Sequence, residues 1–114
     1  MLIKTGLSVE LPKDCVLLIY PRSGLATTHN INLANCVGVI DSDYRGEIII
    51  ALQNTGRKPY VVRNLDRVAQ GIVHHLPTIE IQEVDELKST KRGAGGFGST
   101  GIQGQAEQGE NVGV

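Results

Sequence analysis

Aromatic residues are scarce in this sequence: its 114 residues include three Tyr, one Phe and no Trp. Hydrophobic residues nevertheless make up 40% of the chain, so a core must be built mainly from Val, Ile and Leu. Branched aliphatic side chains fit the pleated, half-buried surface of a β-sheet. The length suits one domain. The composition therefore favours a single small domain rich in β-structure.

Long apolar runs and a strong charge of one sign are also missing. No apolar run approaches the ~20 residues that a membrane-spanning helix needs, and the N-terminal residues lack the apolar centre of a signal peptide. The formal net charge of −1 argues against a general nucleic-acid-binding protein, which is normally clearly basic. We therefore expect no membrane or nucleic-acid partner and a cytoplasmic location, with the nucleus or an organelle left open. A locally basic pocket for one nucleotide is compatible with this charge.

Cysteine is limited to Cys15 and Cys36, which do not form a Cys-x-x-Cys motif. No set of His and Cys residues has the spacing of a zinc site. Two buried free thiols are the favoured interpretation, with a disulfide or a reactive thiol as the alternative. His74 and His75 fall on a predicted strand, where neighbouring side chains point to opposite faces. We interpret this pair as packing and surface residues because it cannot bind one metal ion together.

Short branched runs separated by Pro, Gly, Asn and Asp predict many short strands and no sustained helix. Such strands at regular spacing indicate a jelly-roll-like β-sandwich or barrel, and hence an all-β fold. Residues 41–46 are interpreted as the polar tip of a hairpin. The predicted strands cover residues 2–11, 15–20, 31–33, 36–40, 47–53, 60–63, 68–73 and 78–84.

The character of the sequence changes after residue 87. Residues 88–101 are rich in Gly, and Phe97 is their only large apolar residue. Such a segment cannot bury enough apolar surface to fold alone. We predict a β core at 1–87, a flexible Gly-rich arm at 88–101 that orders on a ligand or a neighbouring subunit, and a disordered tail at 102–114. A fully disordered arm is the alternative.

The first polar cluster directly follows a predicted strand. Arg22 offers a guanidinium, Ser23 a hydroxyl, and Gly24 a backbone N–H that a ligand can approach closely. Together these groups suit a phosphate-binding cradle. The alternative is a simple turn in which Arg22 forms a surface ion pair.

The second cluster lies between Asn35 and the predicted hairpin tip. The Asn35 amide has a donor and an acceptor for the edge of a pyrimidine. Asp41 is a candidate general base if a water lies within its reach, and the Tyr44 ring can pack against a sugar. The alternative is a polar hairpin tip stabilised by Asp side chains.

Two further clusters are less specific by themselves. Residues 67–70, Arg-Val-Ala-Gln, place Gln70 near a strand, where a solvent-facing role is the default. Residues 92–101 combine a cation, successive backbone N–H groups, two hydroxyls and a ring, which suits a polyphosphate and a flat base. They lack the Gly-Lys-Ser/Thr of a Walker A loop and the βαβ context of a Rossmann fingerprint. A flexible Gly-rich tail is the alternative.

The order of these clusters resembles motifs two to five of the trimeric dUTPase family. The matching motifs are Pro-Arg-Ser-Gly at 21–24, Gly-Val-Ile-Asp-x-Asp-Tyr-Arg-Gly at 38–46, Arg-x-Ala-Gln at 67–70 and Arg-Gly-x-Gly-Gly-Phe-Gly-Ser-Thr-Gly at 92–101. The resemblance implies a homotrimer with shared active sites that hydrolyses dUTP to dUMP and pyrophosphate, so that dUTP falls and dUMP is supplied for dTTP synthesis. It also implies Mg²⁺, held mainly through the triphosphate and waters rather than by protein ligands.

The resemblance also assigns roles to residues. Asp41 would activate the water that attacks the α-phosphorus, and Tyr44 would leave no room for a 2′-hydroxyl. Phe97 would cover the base. Uracil would be read by Asn35 and by the backbone at Gly38 and Val39. The phosphates would be held by Arg22, Ser23, Gly24 and Gln70, and the distal ones by the arm residues Arg92, Ser99 and Thr100. Gly98 would also contact the substrate.

The family's first motif, an Ala-Gly-x-Asp-Leu element whose Asp supports the metal-water shell, has no counterpart in this sequence. We therefore expect either a fragment or a replacement for the missing strands. This absence motivates an alternative function, a weak or inactive nucleotide-sensing or protein-binding module on the same fold. The related dCTP deaminases are a further alternative, against which the Gly-rich arm argues.

Overall fold

A computed structural model describes residues 1–102 of the chain. Contacts divide the protein into two compact units, Met1–Glu80 and Ile81–Val114. The predicted limits of the core, at 87, and of the arm, at 88–101, stay predictions. The predicted tail lies outside the described residues except for Ile102. In the described part, no helix is long and apolar enough to span a membrane.

The first unit consists of two three-stranded antiparallel sheets and one short helix. One sheet has the strand order β1-β5-β3 and the other β4-β2-β6. The elements in chain order are β1 (Leu2–Lys4), β2 (Cys15–Tyr20), α1 (Ser23–His29), β3 (Ile31–Leu33), β4 (Gly38–Ile40), β5 (Ile49–Asn54) and β6 (Gln70–His75). The all-β prediction is confirmed, and β2 and β3 have the predicted bounds.

The hydrophobic core lies between the inner faces of these sheets. Strands β2, β3 and β5 each contribute alternate residues to it, because successive strand side chains point to opposite faces. Aromatic side chains are absent from the buried cluster, as the composition predicts. Its members are Leu17, Ile19, Ile31, Leu33, Ile48, Ile50 and Leu52.

Helix α1 was not predicted, because a helix of seven residues is too short to show helical periodicity. It turns Leu25 and Ala26 partly inward. It ends at Asn30, which has a left-handed backbone with φ of 58° and donates its N–H to the Leu25 carbonyl. Asn tolerates this conformation better than most residues. The predicted strands at 60–63 and 78–84 are wrong, and β1 is much shorter than the predicted 2–11.

The predicted hairpin around residues 41–46 is also wrong. Strand β4 pairs with β2, whereas β5 pairs with β1 and β3. The segment between Ile40 and Ile49 therefore crosses from one sheet to the other. The turn-forming residues signal a change of direction, but they do not specify the strand that the chain joins next. Packed sheets lie ~10 Å apart, a distance that this connection spans easily.

Candidate active site

Two polar clusters that are distant in sequence meet at one end of the β4-β2-β6 sheet. Strand β6 pairs with β2 so that Gln70 lies opposite Tyr20, just before Arg22. Arg22, Ser23, Gly24 and Gln70 consequently line one cavity of about 630 Å³. We call this set of four residues the cradle. The structure thus brings together all the residues of the first unit that were predicted to contact phosphates.

Hydrogen bonds fix the two long side chains of the cradle. Arg22 Nη1 donates to the Arg67 carbonyl at 2.7 Å, and Gln70 Nε2 donates to the Pro21 carbonyl at 2.9 Å. A guanidinium has five N–H donors, so Arg22 keeps further donors for an anion. A Cβ added at Gly24 would meet no atom within 4 Å, so a ligand can approach the backbone there. These groups can bind successive phosphates.

The other wall of the cavity was not predicted from the sequence. His29 and Tyr60 stand together there, with ring centroids 4.9 Å apart. Asp66 accepts the Arg63 N–H at 2.8 Å through its carboxylate, in a turn that holds Leu65 at a φ of 67°. The sequence signals the turn through Asn64 and Asp66, but nothing in it indicates that this turn borders the cradle.

The predicted pyrimidine-reading residues lie beside β4. Gly38 is buried against β2, and a Cβ there would stand 3.2 Å from Ile19 Cβ and 3.6 Å from Asn35 Nδ2. The Asn35 amide therefore lies close over the β4 backbone, where both groups can face one ligand. Val39, the next residue of β4, is 56% exposed.

Asp41 and Tyr44 occupy the connection that leaves β4. Asp41 is exposed, and its carbonyl accepts the Tyr44 N–H at 3.1 Å. The Tyr44 hydroxyl donates to the Glu47 carbonyl at 2.9 Å. The ring lies so close to Gly46 that a Cβ there would collide with it. Arg45 adds hydrogen bonds to the Ser42 and Tyr44 carbonyls at 2.8 and 3.2 Å. The loop thus holds the Tyr44 ring in a defined position.

Asp41 is remote from the cradle of its own chain. It follows Ile40, which pairs with Leu17 on one side of β2, whereas Gln70 pairs with Tyr20 on the other side. At ~3.3 Å per residue and ~4.8 Å between strands, the backbones of Asp41 and Gln70 are on the order of 15 Å apart. Consecutive phosphates of a nucleotide are much closer than this. One chain therefore does not place Asp41 beside phosphates held by its own cradle.

The second unit carries the predicted arm residues on consecutive turns. The N–H groups of Gly93, Gly95, Ser99 and Gly101 donate to the carbonyls three residues earlier at 2.9–3.2 Å. Arg92 Nε donates to the Gly95 carbonyl at 2.8 Å. Phe97 is fully exposed, with φ of 49°. Such turns need no buried core and leave the side chains of this unit open to a ligand.

Comparison with known proteins settles the family. A family model described as dUTPase matches residues 1–101. The chain belongs to the dUTPase family. It is 50% identical over 101 residues to a deoxyuridine 5′-triphosphate nucleotidohydrolase of Treponema denticola, with 89% of this chain and 70% of the relative covered. It is also 50% identical over 100 residues to the enzyme of the same name from Wolinella succinogenes, with 88% and 67% covered. This dUTPase-family chain thus spans about two-thirds of the length of these relatives.

Solved dUTPases confirm the fold. The dUTPase of Staphylococcus bacteriophage 80alpha with dUPNHPP matches at a TM-score of 0.75 and 25% identity, covering 90% of this chain and 76% of the phage chain. A mutant dUTPase from phage phi11 of S. aureus, reported with a structural Mg(II) ion, matches at a TM-score of 0.64 and 23% identity, covering 78% and 74%. The jelly-roll-like β fold and the family predicted from the motifs are therefore both confirmed.

Proposed function

We propose that this chain hydrolyses dUTP to dUMP and pyrophosphate by attack of water on the α-phosphorus. The observation that carries the proposal is the convergence of Arg22, Ser23, Gly24 and Gln70 on one cavity. Relatives at 50% identity are named for hydrolysis of the same nucleotide. These names favour an enzyme over the non-catalytic module that we considered as an alternative.

In the proposed mechanism, Asp41 positions and deprotonates the attacking water. Hydrolysis of a phosphoanhydride depends on an aligned water and on neutralised charge rather than on covalent chemistry by the protein. Arg22 supplies positive charge near the leaving pyrophosphate, where negative charge accumulates. Because Asp41 lies on the order of 15 Å from its own cradle, we propose that the two belong to different subunits of a homotrimer. Each of the three sites then combines residues from neighbouring chains.

In the proposed function, strand β4 and the segments on either side of it select the nucleoside. We propose that the Asn35 amide and the backbone at Gly38 and Val39 read the uracil edge. Tyr44 packs against deoxyribose and excludes a 2′-hydroxyl, a role that the hydroxyl bond to Glu47 supports by fixing the ring. We further propose that the arm of a neighbouring subunit closes over the ligand and excludes bulk water. Phe97 then covers the base, the distal phosphates are held by Arg92, Ser99 and Thr100, and Gly98 also contacts the substrate.

Magnesium fits this site as a partner of the substrate. Among the described residues that line the cavity, Asp66 is the single carboxylate. It already accepts the Arg63 N–H, so the wall offers no cage of oxygen ligands. At phosphate sites Mg²⁺ keeps several waters and binds substrate oxygens. We propose that Mg²⁺ enters on the triphosphate and neutralises part of its charge. The cytoplasmic location stays a prediction.

Release of pyrophosphate from dUTP with Mg²⁺ tests the activity directly. We expect turnover of dUTP and much slower turnover of dCTP, dTTP and UTP by the purified chain. Equal rates on UTP would contradict the role of Tyr44, and ammonia release from dCTP would indicate a deaminase. Nucleotide binding by a folded sample without pyrophosphate release would support the binding-module alternative.

Mixed assemblies test whether the sites are shared. We expect Asp41→Asn and Arg22→Ala to be nearly inactive alone at low dUTP. Assemblies of equal amounts of both variants should recover about a quarter of the wild-type rate. Each shared site takes Asp41 from one chain and Arg22 from another, and each of these residues is intact in half of the randomly mixed chains. Sites completed within one chain would give no recovery.

A further inference from the structure

A second cluster of reactive side chains lies at the other end of β2, away from the cradle. Cys15 pairs with His75 in the β2–β6 register, and Asp14 precedes Cys15. Cys15 Sγ lies 3.6 Å from His75 Nδ1 and 3.8 Å from Asp14 Oδ1. His75 Nδ1 lies 3.2 Å from Asp14 Oδ2. The three residues thus direct sulfur, nitrogen and oxygen atoms at one point, all within 4.8 Å of one another.

Two of these distances match edges of a tetrahedral zinc site. With Zn–S of ~2.3 Å and Zn–N or Zn–O of ~2.0–2.1 Å, tetrahedral angles place sulfur ~3.6 Å from each lighter ligand and nitrogen ~3.3 Å from oxygen. The Cys15 Sγ–His75 Nδ1 separation of 3.6 Å and the His75 Nδ1–Asp14 Oδ2 separation of 3.2 Å agree with these values to about 0.1 Å. The other carboxylate oxygen, Asp14 Oδ1, is the one that lies 3.8 Å from Cys15 Sγ, and a single set of ligand atoms from the three residues fits within 4.8 Å. Thiolate, imidazole and carboxylate are also the three ligand types that zinc accepts in proteins.

We propose that Asp14, Cys15 and His75 bind one Zn²⁺ ion per chain, with water as the fourth ligand. The Cys15 side chain is buried and held in place by strand pairing, with 4% of the residue exposed. The side chains of His75 and Asp14 are 82% and 63% exposed, so the fourth position faces solvent. The metal would join the end of β2 to the end of β6, a strand whose residues are all exposed.

A nucleophilic role for Cys15 fits these surroundings less well. Burial and the Asp14 carboxylate raise the pKa of the Cys15 thiol, whereas a reactive cysteine has a lowered pKa and an accessible sulfur. The sequence did not signal the site because Cys15 and His75 are separated by sixty positions and meet only through strand pairing.

Cobalt titration of the full chain, freed of metal and of any His tag, tests the site. Co²⁺ occupies zinc sites and gives a thiolate-to-metal absorption band in the near ultraviolet. We expect one equivalent of Co²⁺ to produce this band in the wild-type protein, and Zn²⁺ to remove it by competition. Absence of the band would overturn the proposal, and this measurement needs no variant.

Matched variants identify the ligands. Cys15→Ser should abolish the thiolate band, and His75→Asn should weaken Zn²⁺ binding by more than ~10-fold, since even outer-shell changes cost that much. His74→Asn and Cys36→Ser change the neighbouring histidine and the exposed cysteine, so both should bind like wild type. Equal affinities in all four variants would mean non-specific surface binding and would overturn the site. The readout is independent of dUTP turnover, so it stands or fails separately from the proposed function.

Discussion

The two ends of the β4-β2-β6 sheet differ in how complete a site they provide. At the Tyr20 end, strand pairing and α1 gather the four cradle residues around one cavity. Toward the other end, Asp41 follows β4 just beyond the Ile40–Leu17 pair. Its side chain is exposed and lies far from that cavity. The sheet thus carries the cradle at one end and Asp41 away from it. In the proposed mechanism, a second copy of the chain brings the cradle and Asp41 together.

The largest predicted effect is at Asp41, the proposed general base. Asp41→Asn keeps the size of the side chain but removes the proton acceptor, so we expect kcat to fall by ~10³-fold, within the range of general-base contributions. Binding of a non-hydrolysable dUTP analogue should change little. Asp43→Asn removes a neighbouring exposed carboxylate and should retain turnover. Turnover of Asp41→Asn close to wild type would contradict the assignment of the base.

At the cradle, loss of the Arg22 guanidinium should raise KM for dUTP more than loss of the Arg67 guanidinium. Arg22→Ala removes a charged donor, so we expect KM for dUTP to rise ~10- to 100-fold, since a hydrogen bond to a charged group contributes ~1.5–3 kcal/mol. Arg67 contributes its backbone carbonyl to Arg22, so Arg67→Ala should keep this contact and a nearly normal KM. Steady-state kinetics on both variants makes the comparison, and equal losses would show that the Arg67 side chain itself binds substrate.

Discrimination against UTP should depend on the glycine that packs against the Tyr44 ring. A Cβ at Gly46 would collide with the Tyr44 ring, so Gly46→Ala should displace the ring and reduce the preference for dUTP over UTP by ~10-fold, about 1.4 kcal/mol. Tyr44→Phe keeps the ring and loses only the hydroxyl bond to Glu47. It should reduce the preference less. The ratio of kcat/KM for the two nucleotides measures the effect, and an unchanged ratio in Gly46→Ala would exclude this role of the ring.

Local patterns predicted the strands that supply the core, whereas strand partners depended on contacts that the sequence does not signal. The short apolar run of β2, bounded by Pro21, fixed its bounds, and four of its six residues are buried. The hairpin prediction failed because turn residues such as Gly46 indicate a change of direction but do not specify the strand with which the next strand pairs. The gathering of Arg22 with Gln70 follows from the β2–β6 register, which no single segment encodes. His29 and Tyr60 were missed at the cavity for the same reason.

The smallest predicted effect compares two glycines on opposite sides of β2. A Cβ at Gly38 would stand 3.2 Å from Ile19 Cβ, a branched atom next to the backbone that cannot move without the strand. A Cβ at Gly71 would stand 2.9 Å from Leu17 Cδ1, the mobile end of a flexible side chain. We expect Gly38→Ala to lower the free energy of unfolding by about 1–2 kcal/mol through overpacking.

Gly71→Ala should change the free energy of unfolding by less than about 0.5 kcal/mol, because a rotation of Leu17 removes the contact and alanine is favoured over glycine in a strand. Urea denaturation of both variants at one protein concentration measures the difference. A larger loss in Gly71→Ala would mean that β6 is packed more rigidly than its exposed residues indicate. In the proposed homotrimer, contact with a neighbouring subunit would explain such rigidity, since β6 borders the cradle. The glycine pair would then also report on the side of the sheet at which the proposed subunits meet.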